Sequence, residues 1–388
     1  MSVIENYPAL RPSLLLDFAN SGRVHPLIQC TRASTATCIG PDGKLRTLAA
    51  NVPRIHHDLN GKCLGLLIEE SRTNVLTYAT DMAQGWTKGS AAQWSTTTGF
   101  LSSGSHGRVL GLRNFTISPD AASLYNTSVP VTAGARHVFS IYARLLPDSP
   151  SNRVIFRVRQ SDGNNIYSSP LILTDRWTRY SFALTIGEGI TFAAAIFGTP
   201  GDTDIVNCEF ACGQFEQGEF ATTFIPTVNA AVTRAADLLS IDYTLPSIGA
   251  VVASIAGLAT ANTANAYLWT ALNPADTGAD HAYAFFSGAN NRTSWWVNKG
   301  GVGQSGGNVT GRPLNVGLSF DAIAKTAALA AGSLIAQDTS RPRDFPVNLS
   351  QIRLGRSVVN NGFLGGCLSR LAIYSGQITD AQLKRLTA

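Results

Sequence analysis

RHVFSIYAR (Arg136 to Arg144), RVIFRVR (Arg153 to Arg159) and WTRYSFAL (Trp177 to Leu184) share one period. In the first, Val138, Ser140 and Tyr142 alternate with Phe139, Ile141 and Ala143. In the second, Val154, Phe156 and Val158 alternate with Arg153, Ile155, Arg157 and Arg159, which puts three arginines on one face. In the third, Trp177, Arg179, Ser181 and Ala183 alternate with Thr178, Tyr180, Phe182 and Leu184. A period of two belongs to strands whose faces meet different surroundings. Ile190 to Phe197 and Asp204 to Phe215 continue the pattern. Such strands, joined by short polar turns, make an antiparallel sandwich over about residues 76–235.

Outward from this block the texture is similar. After residue 236, strand candidates are Leu238 to Tyr243, Gly249 to Ala256, Ala266 to Trp269, His281 to Phe286, Thr293 to Val297, Leu314 to Asp321, Ser350 to Gly355 and Leu368 to Tyr374. Ala324 to Ala336 is alanine-rich enough for a helix, but among strands it reads better as a hairpin turning at Ala331-Gly332. The chain's last helix has Thr379 as its cap, Asp380 next, and Leu383 and Leu386 pointing back to cover a sheet edge. Before residue 75, only short pieces such as Ser13 to Phe18 and Gly65 to Ile68 lie between turn signals, too few for a core of their own, so this segment should dock elsewhere. Met1 to Pro12 reads as an arm. The expected fold is all-β: two consecutive antiparallel jelly-roll or β-sandwich domains, 76–235 and 236–388, preceded by a short segment, 1–75.

Composition narrows the function. The 388 residues are 44% hydrophobic but only 14% charged, which excludes a highly charged disordered chain or a coiled coil. The 24 arginines and 6 lysines are spread evenly, and the net charge of +5 has no clustered basic stripe, so no nucleic-acid partner is expected. No apolar run reaches the roughly 18 residues of a membrane-spanning helix, so no membrane insertion is expected. The first residues also lack the pattern of a signal peptide. Cys208 and Cys212 form a lone CxxxC without the second pair that a zinc site needs. The six cysteines are therefore expected as free thiols, and no cofactor or metal is expected.

Four further stretches carry a pattern: TRASTAT at Thr31 to Thr37, PRIHHDLNGKCLGLLIEESRTN at Pro53 to Asn74, GQFEQGEFATTFIPTVNAAVTRAAD at Gly213 to Asp237, and GFLGGCLSRLAIYSGQITDAQLKRL at Gly362 to Leu386. Together they resemble virion proteins of tailed bacteriophages, of the tail-fibre, head-fibre and spike type. The resemblance implies a carbohydrate-binding-like jelly roll over 76–235 and a concanavalin-like (laminin-G-like) sandwich over 236–388. It implies a homo-oligomer, commonly a trimer, attached to other capsid or tail proteins through residues 1–75 and meeting host surface polysaccharide. It also implies a protein made in the bacterial cytoplasm and carried on the virion. The alternatives are a capsid-decorating or cement protein without a receptor role, and a glycan depolymerase.

No nucleophile elbow, P-loop, HExxH or EF-hand is present. Glu69 and Glu70 suggest acid–base work, but strand neighbours face opposite ways and cannot flank one glycosidic bond. A junction pinned by a Glu–Arg pair accounts for them better, and no catalytic residue is assigned. His56 and His57 before Asn60-Gly61 read as solvated loop histidines. Asp202 with Asp204, and Asp276 with Asp280, suit a calcium ion or a plain turn. Aromatic rings are the usual handles for sugars, whose apolar faces stack on them. The leading glycan-binding candidates are Trp295, Trp296, Arg292 and Tyr283. One ring of the Trp295-Trp296 pair should enter the core and the other face outward. Sheet packing or a subunit interface would equally use such residues. Trp86 and Trp94 are the next candidates, and Trp177 is expected in the core.

Overall fold

The computed structural model describes residues 11–88, 93–97, 109–115, 124–200, 205–258, 264–276, 278–288, 290–337 and 344–388. The architecture is all-β, built as two antiparallel sandwiches.

The first sandwich faces a five-stranded sheet against a six-stranded one. The five run in the order Thr178–Thr185, Arg136–Leu145, Val206–Gln217, Val109–Phe115, Gln93–Thr97. The central path of the other is Asn165–Tyr167, Arg153–Gln160, Phe192–Gly198, Leu124–Pro130, Thr87–Lys88, and Leu171–Ile172 pairs with Arg153–Gln160. Rings cross between the sheets: Phe139 meets Phe156 at 4.6 Å between centroids, and Phe197 meets Phe210 at 5.5 Å. Val154, Phe156 and Val158 point into this core, as their alternation requires. Arg136–Leu145 is buried on both faces. Phe139 and Ile141 line the sandwich interior, whereas Tyr142 packs with Trp177, Phe224 and the hairpin residues Ile39 and Leu45. Both faces of that strand carry apolar residues because the N-terminal segment covers the second.

The other sandwich draws on both ends of the chain. One sheet runs Leu334–Gln337, Thr326–Ala331, Asn315–Asp321, Ile248–Ala256, Gly366–Ser375, Cys63–Ile68, Ile55–His57, with Leu14–Asp17 also paired to Gly366–Ser375. The second runs Gln29–Thr31, Leu238–Asp242, Gln351–Leu354, Ala266–Leu272, His281–Ser287, Arg292–Lys299, Val302–Ser305, with Val309–Thr310 on Arg292–Lys299. Leu16, Leu66 and Ile68 share one core with Trp269, Trp295, Leu318 and Ile373. Residues 14–68 thus supply four strands to this sandwich, and Leu14 is already in register with Ile373.

Thr326–Ala331 and Leu334–Gln337 form a hairpin across Gly332, whose φ of 57° suits a glycine turn. The alanine run is therefore strand, because its alternate residues reach two cores: Leu329 and Ala331 inside, Ala328 and Ala330 outside. The helix Asp380–Thr387 begins with a capping box, in which Thr379 accepts from Gln382 N and Gln382 returns to Thr379 N. It covers the outer face of the first-named sheet, not an edge. Leu383 and Leu386 pack on Ala250, Val252, Ala372 and Tyr374. Leu368 lies with Leu371 and Ile373 in the inner core, because the register slips between Ser254 and Ile255.

Candidate functional site

Strand Arg292–Lys299 sends Thr293, Trp295 and Val297 inward and leaves Arg292 and Trp296 on the outer face. Trp295 is 1% exposed, in contact distance of Gly306, and belongs to the core. As a glycan-binding residue Trp295 is corrected: no ligand can reach it without unpacking the sandwich. Trp296 is half-buried, and its ring lies over Gly303, where an added Cβ would come 2.2 Å from the indole. Gly303 thus makes the seat for the outward ring.

The register places Tyr283 beside Trp296, and Thr270 on the other side of Tyr283. Along strand His281–Ser287, the residues His281, Tyr283 and Phe285 share that outer face by their period of two. The His281 and Tyr283 rings are stacked at 5.6 Å, and Tyr267 from the neighbouring strand meets Tyr283 at 4.8 Å and Phe285 at 5.6 Å. Burial, then the neighbouring Tyr267 hydroxyl and its hydrogen bond, push the Tyr283 phenol up, so it stays protonated. Arg292 is exposed on the same face, four residues along the strand from Trp296, about 13 Å away. Tyr283, Trp296 and Arg292 therefore share one surface, joined by Tyr267, His281 and Phe285. These three were not among the site candidates of the sequence reading, although the alternation of His281 and Phe285 with Ala282, Ala284 and Phe286 was legible.

Loop residues 355–362 close one side of this aromatic strip. Thr270 Oγ1 donates to Arg356 O at 2.7 Å, and Tyr267 N donates to Gly362 O at 2.9 Å.

The conspicuous sequence motifs meet elsewhere, in a buried charge cluster. Asp237 accepts from Arg32 Nη1 at 2.9 Å, from Arg54, and from the Glu69 backbone N–H at 2.9 Å. Glu69 accepts from Arg54 Nη2 at 2.8 Å and from Thr223 N and Oγ1 at 2.7 and 2.6 Å, with Arg234 Nη1 at 3.5 Å. Burial alone would raise the Glu69 carboxyl; the Arg234 and Arg54 charges and the Thr223 hydrogen bonds outweigh it and hold the group well below the usual carboxylate range. Glu70 turns the other way, into a cleft of about 910 Å³ also lined by Arg136, Gln217 and Asn361, and pairs there with Arg72. Arg72 itself sits over the Phe220 ring. The two glutamates thus serve separate surroundings. Sequence reasoning singled out Glu69 and Glu70 but not Arg32, Arg54 or Asp237 as the partners of Glu69.

The remaining candidates separate. His56 and His57 are not solvated loop residues: both belong to strand Ile55–His57, where Ile39 N donates to His56 Nδ1 at 3.1 Å and His57 Nδ1 lies 3.2 Å from Ile39 O. Burial pushes the His56 imidazole down to about 4. Trp86 is buried in the first sandwich with Nε1 donating to Thr77 O at 2.8 Å, so it offers no surface ring. Trp177 is in a core, as expected. Asp276 accepts from Gly278 N at 2.9 Å and Asp280 N at 3.3 Å, which makes a turn. Asp202 and Asp204 lie outside the described residues, as does the Trp94 side chain. Among the described residues no three His, Cys, Asp or Glu side chains gather as metal ligands. All six cysteines are free, and burial pushes the Cys208, Cys212 and Cys367 thiols up.

No family model matches the chain, and no curated protein matches it in sequence. Among solved structures, it is similar to the carbohydrate-binding module CBM40 of Ruminococcus gnavus IT-sialidase, at 16% identity over 36% of this chain and 83% of that one, with a TM-score of 0.30. It is similar also to the CBM22-1 xylan-binding domain of Paenibacillus barcinonensis Xyn10C, at 15% identity over 38% of this chain and 94% of that one, TM-score 0.29. The tandem CBM22-1-CBM22-2 domain of the same Xyn10C aligns at 10% identity over 80% of this chain and 99% of that one, TM-score 0.30. Likenesses this remote say nothing of what this chain binds.

Proposed function

We propose that this chain is a structural protein of a tailed-bacteriophage virion, a fibre or spike on head or tail, that adheres to host surface glycans. The observation that carries the adhesive part is the outward strip of Tyr267, Tyr283, Phe285 and Trp296, with Arg292 exposed at its far end. Rings packed edge-to-face and stacked on a rigid sheet offer apolar surface to the apolar faces of sugars, and their pre-set geometry lowers the ordering cost of binding. The virion part rests on the sequence motifs, whose arginines and carboxylates serve as a structural junction. Adhesion without cleavage agrees with Glu69 caged by arginines and Thr223, and Glu70 paired with Arg72. A homotrimer, attached to capsid or tail proteins through the first residues, completes the proposal.

The test has two arms. Antibody against the purified chain should label virions in immunogold electron microscopy. The purified full chain should be retained by host surface polysaccharide, with retention lost in Trp296→Ala and no reducing ends released. Unlabelled virions would remove the virion role, and retention unchanged by Trp296→Ala would remove the aromatic strip as the adhesive surface.

A further inference from the structure

Beside the aromatic strip, two arginines stand without a counter-charge. Arg353 lies on the outer face of strand Gln351–Leu354, with Ile352 and Leu354 in the core on either side of it. Its register partner Thr270 is also the partner of Tyr283. Arg356 follows Gly355 and is only 6% exposed. The two guanidinium groups converge on one oxygen: Arg353 Nη1 is 3.4 Å from Asn360 Oδ1, and Arg356 Nη1 donates to the same atom. Arg353 also donates to Val358 O, and its Nε is 3.5 Å from Gln351 Oε1. Arg356 Nε is buried with no hydrogen-bond partner. Among the described residues no carboxylate pairs with either group. Burial and then the neighbouring Arg353 charge push Arg356 down to about 10, with no acidic neighbour opposing them.

This contrasts with the junction cluster, where Arg32, Arg54 and Arg234 are matched against Glu69 and Asp237. A buried guanidinium with an unused N–H beside a like charge is costly to hold. It becomes favourable when an anion lies beside the pair, because a charge-assisted hydrogen bond from either guanidinium offsets the repulsion between the two like charges. The backbone of Arg356 is tied to Thr270, so this pair is fixed next to the rings.

We propose that Arg353 and Arg356, set by Asn360 and Thr270, bind the carboxylate of an acidic sugar whose ring lies on the aromatic strip, so that the glycan recognised is a uronic-acid type of polysaccharide. This rests on the adhesive reading of the strip and specifies its ligand class.

The experiment uses the full chain, Arg353→Gln, Arg356→Gln and two probes. In the first, melting is followed with galacturonate or galactose at matched ionic strength. Galacturonate should raise the melting temperature of the full chain, galactose should not, and the rise should vanish in either variant. Arg356→Gln removes a buried charge without a partner and should melt no lower than the parent. Arg353, being half-buried, supplies the second variant should that one fail to fold. In the second probe, retention on polygalacturonate is compared with retention on its carboxyl-reduced counterpart. Loss of a charge-assisted contact should weaken retention on the acidic polymer about tenfold to a hundredfold in either variant and leave the reduced polymer unchanged. Equal retention on both polymers, unaffected by the arginine variants, overturns the anion site while adhesion stands. An arginine-dependent galacturonate shift with neither polymer retained upholds the anion site and removes the adhesive reading. No galacturonate shift, or one that persists in both variants, overturns the site.

Discussion

Asp237→Asn should be among the most damaging conservative substitutions in this chain. The change keeps the shape of a side chain that is 1% exposed and deletes its charge. Three buried guanidinium groups, those of Arg32, Arg54 and Arg234, would then face Glu69 alone. Removing one partner of a buried ion pair costs about 3–5 kcal/mol, because the other charge stays in a poorly solvating interior. A fold of this kind has about 5–15 kcal/mol in total. The loss should not remain local. Arg54 and Glu69 come from the N-terminal segment, Thr223 from the end of the first sandwich, and Asp237 from the entry to the second. Urea unfolding followed by tryptophan fluorescence and by circular dichroism would measure it, with the slope checked for constancy. Asp42→Asn is the control, because its ion pair with Arg46 is about half exposed on both sides and solvent already screens it. The control midpoint should stay in place. A cost below about 1 kcal/mol for Asp237→Asn would refute the reasoning, since that is the range of surface substitutions.

Trp295→Ala should cost about 3–5 kcal/mol in a melt, whereas Trp296→Ala should leave stability nearly unchanged and weaken glycan retention; equal losses in both would contradict the inward–outward assignment. Leu383→Ala should cost about 2–5 kcal/mol, and ending the chain after Gly376 should cost more, by stripping the helix from Ala250, Val252 and Tyr374; a truncated chain melting like the parent would show the helix to be dispensable. Stability should fall on acidification in two stages. The His56 imidazole, depressed to about 4 and accepting from Ile39 N, lets only the unfolded chain take up a proton as pH drops from about 6.5, and Glu69, depressed further, gives full stability above about pH 4.3 and loses it below. Denaturation midpoints flat from pH 7 to pH 3 would contradict both.

Alternation along single strands was enough to fix much of this molecule. Val154, Phe156 and Val158 had to face one way, and Trp295 and Trp296 had to face apart, because successive side chains leave a strand on opposite sides. Gly332 marked the hairpin inside an alanine run, and Thr379 with Asp380 marked the helix start, since turns and caps are local chemistry. Tertiary structure decided which distant pieces meet. A period of two says that Leu14 to Asp17 can be a strand, but not that it pairs with Arg370 to Ile373, because register depends on cores and neighbours far along the chain. The same holds for the two groupings that matter most. Arg32, Arg54, Arg234, Glu69 and Asp237 become one buried cluster only when both sandwiches close over the N-terminal segment, since burial makes the pairing of their charges obligatory. Tyr267, Tyr283, Phe285 and Trp296 become one surface only through the lateral register of three strands. Arg353 comes beside them through its register with Thr270, and Arg356 because the loop after Gly355 folds back over that face, placements that no periodicity along the chain encodes.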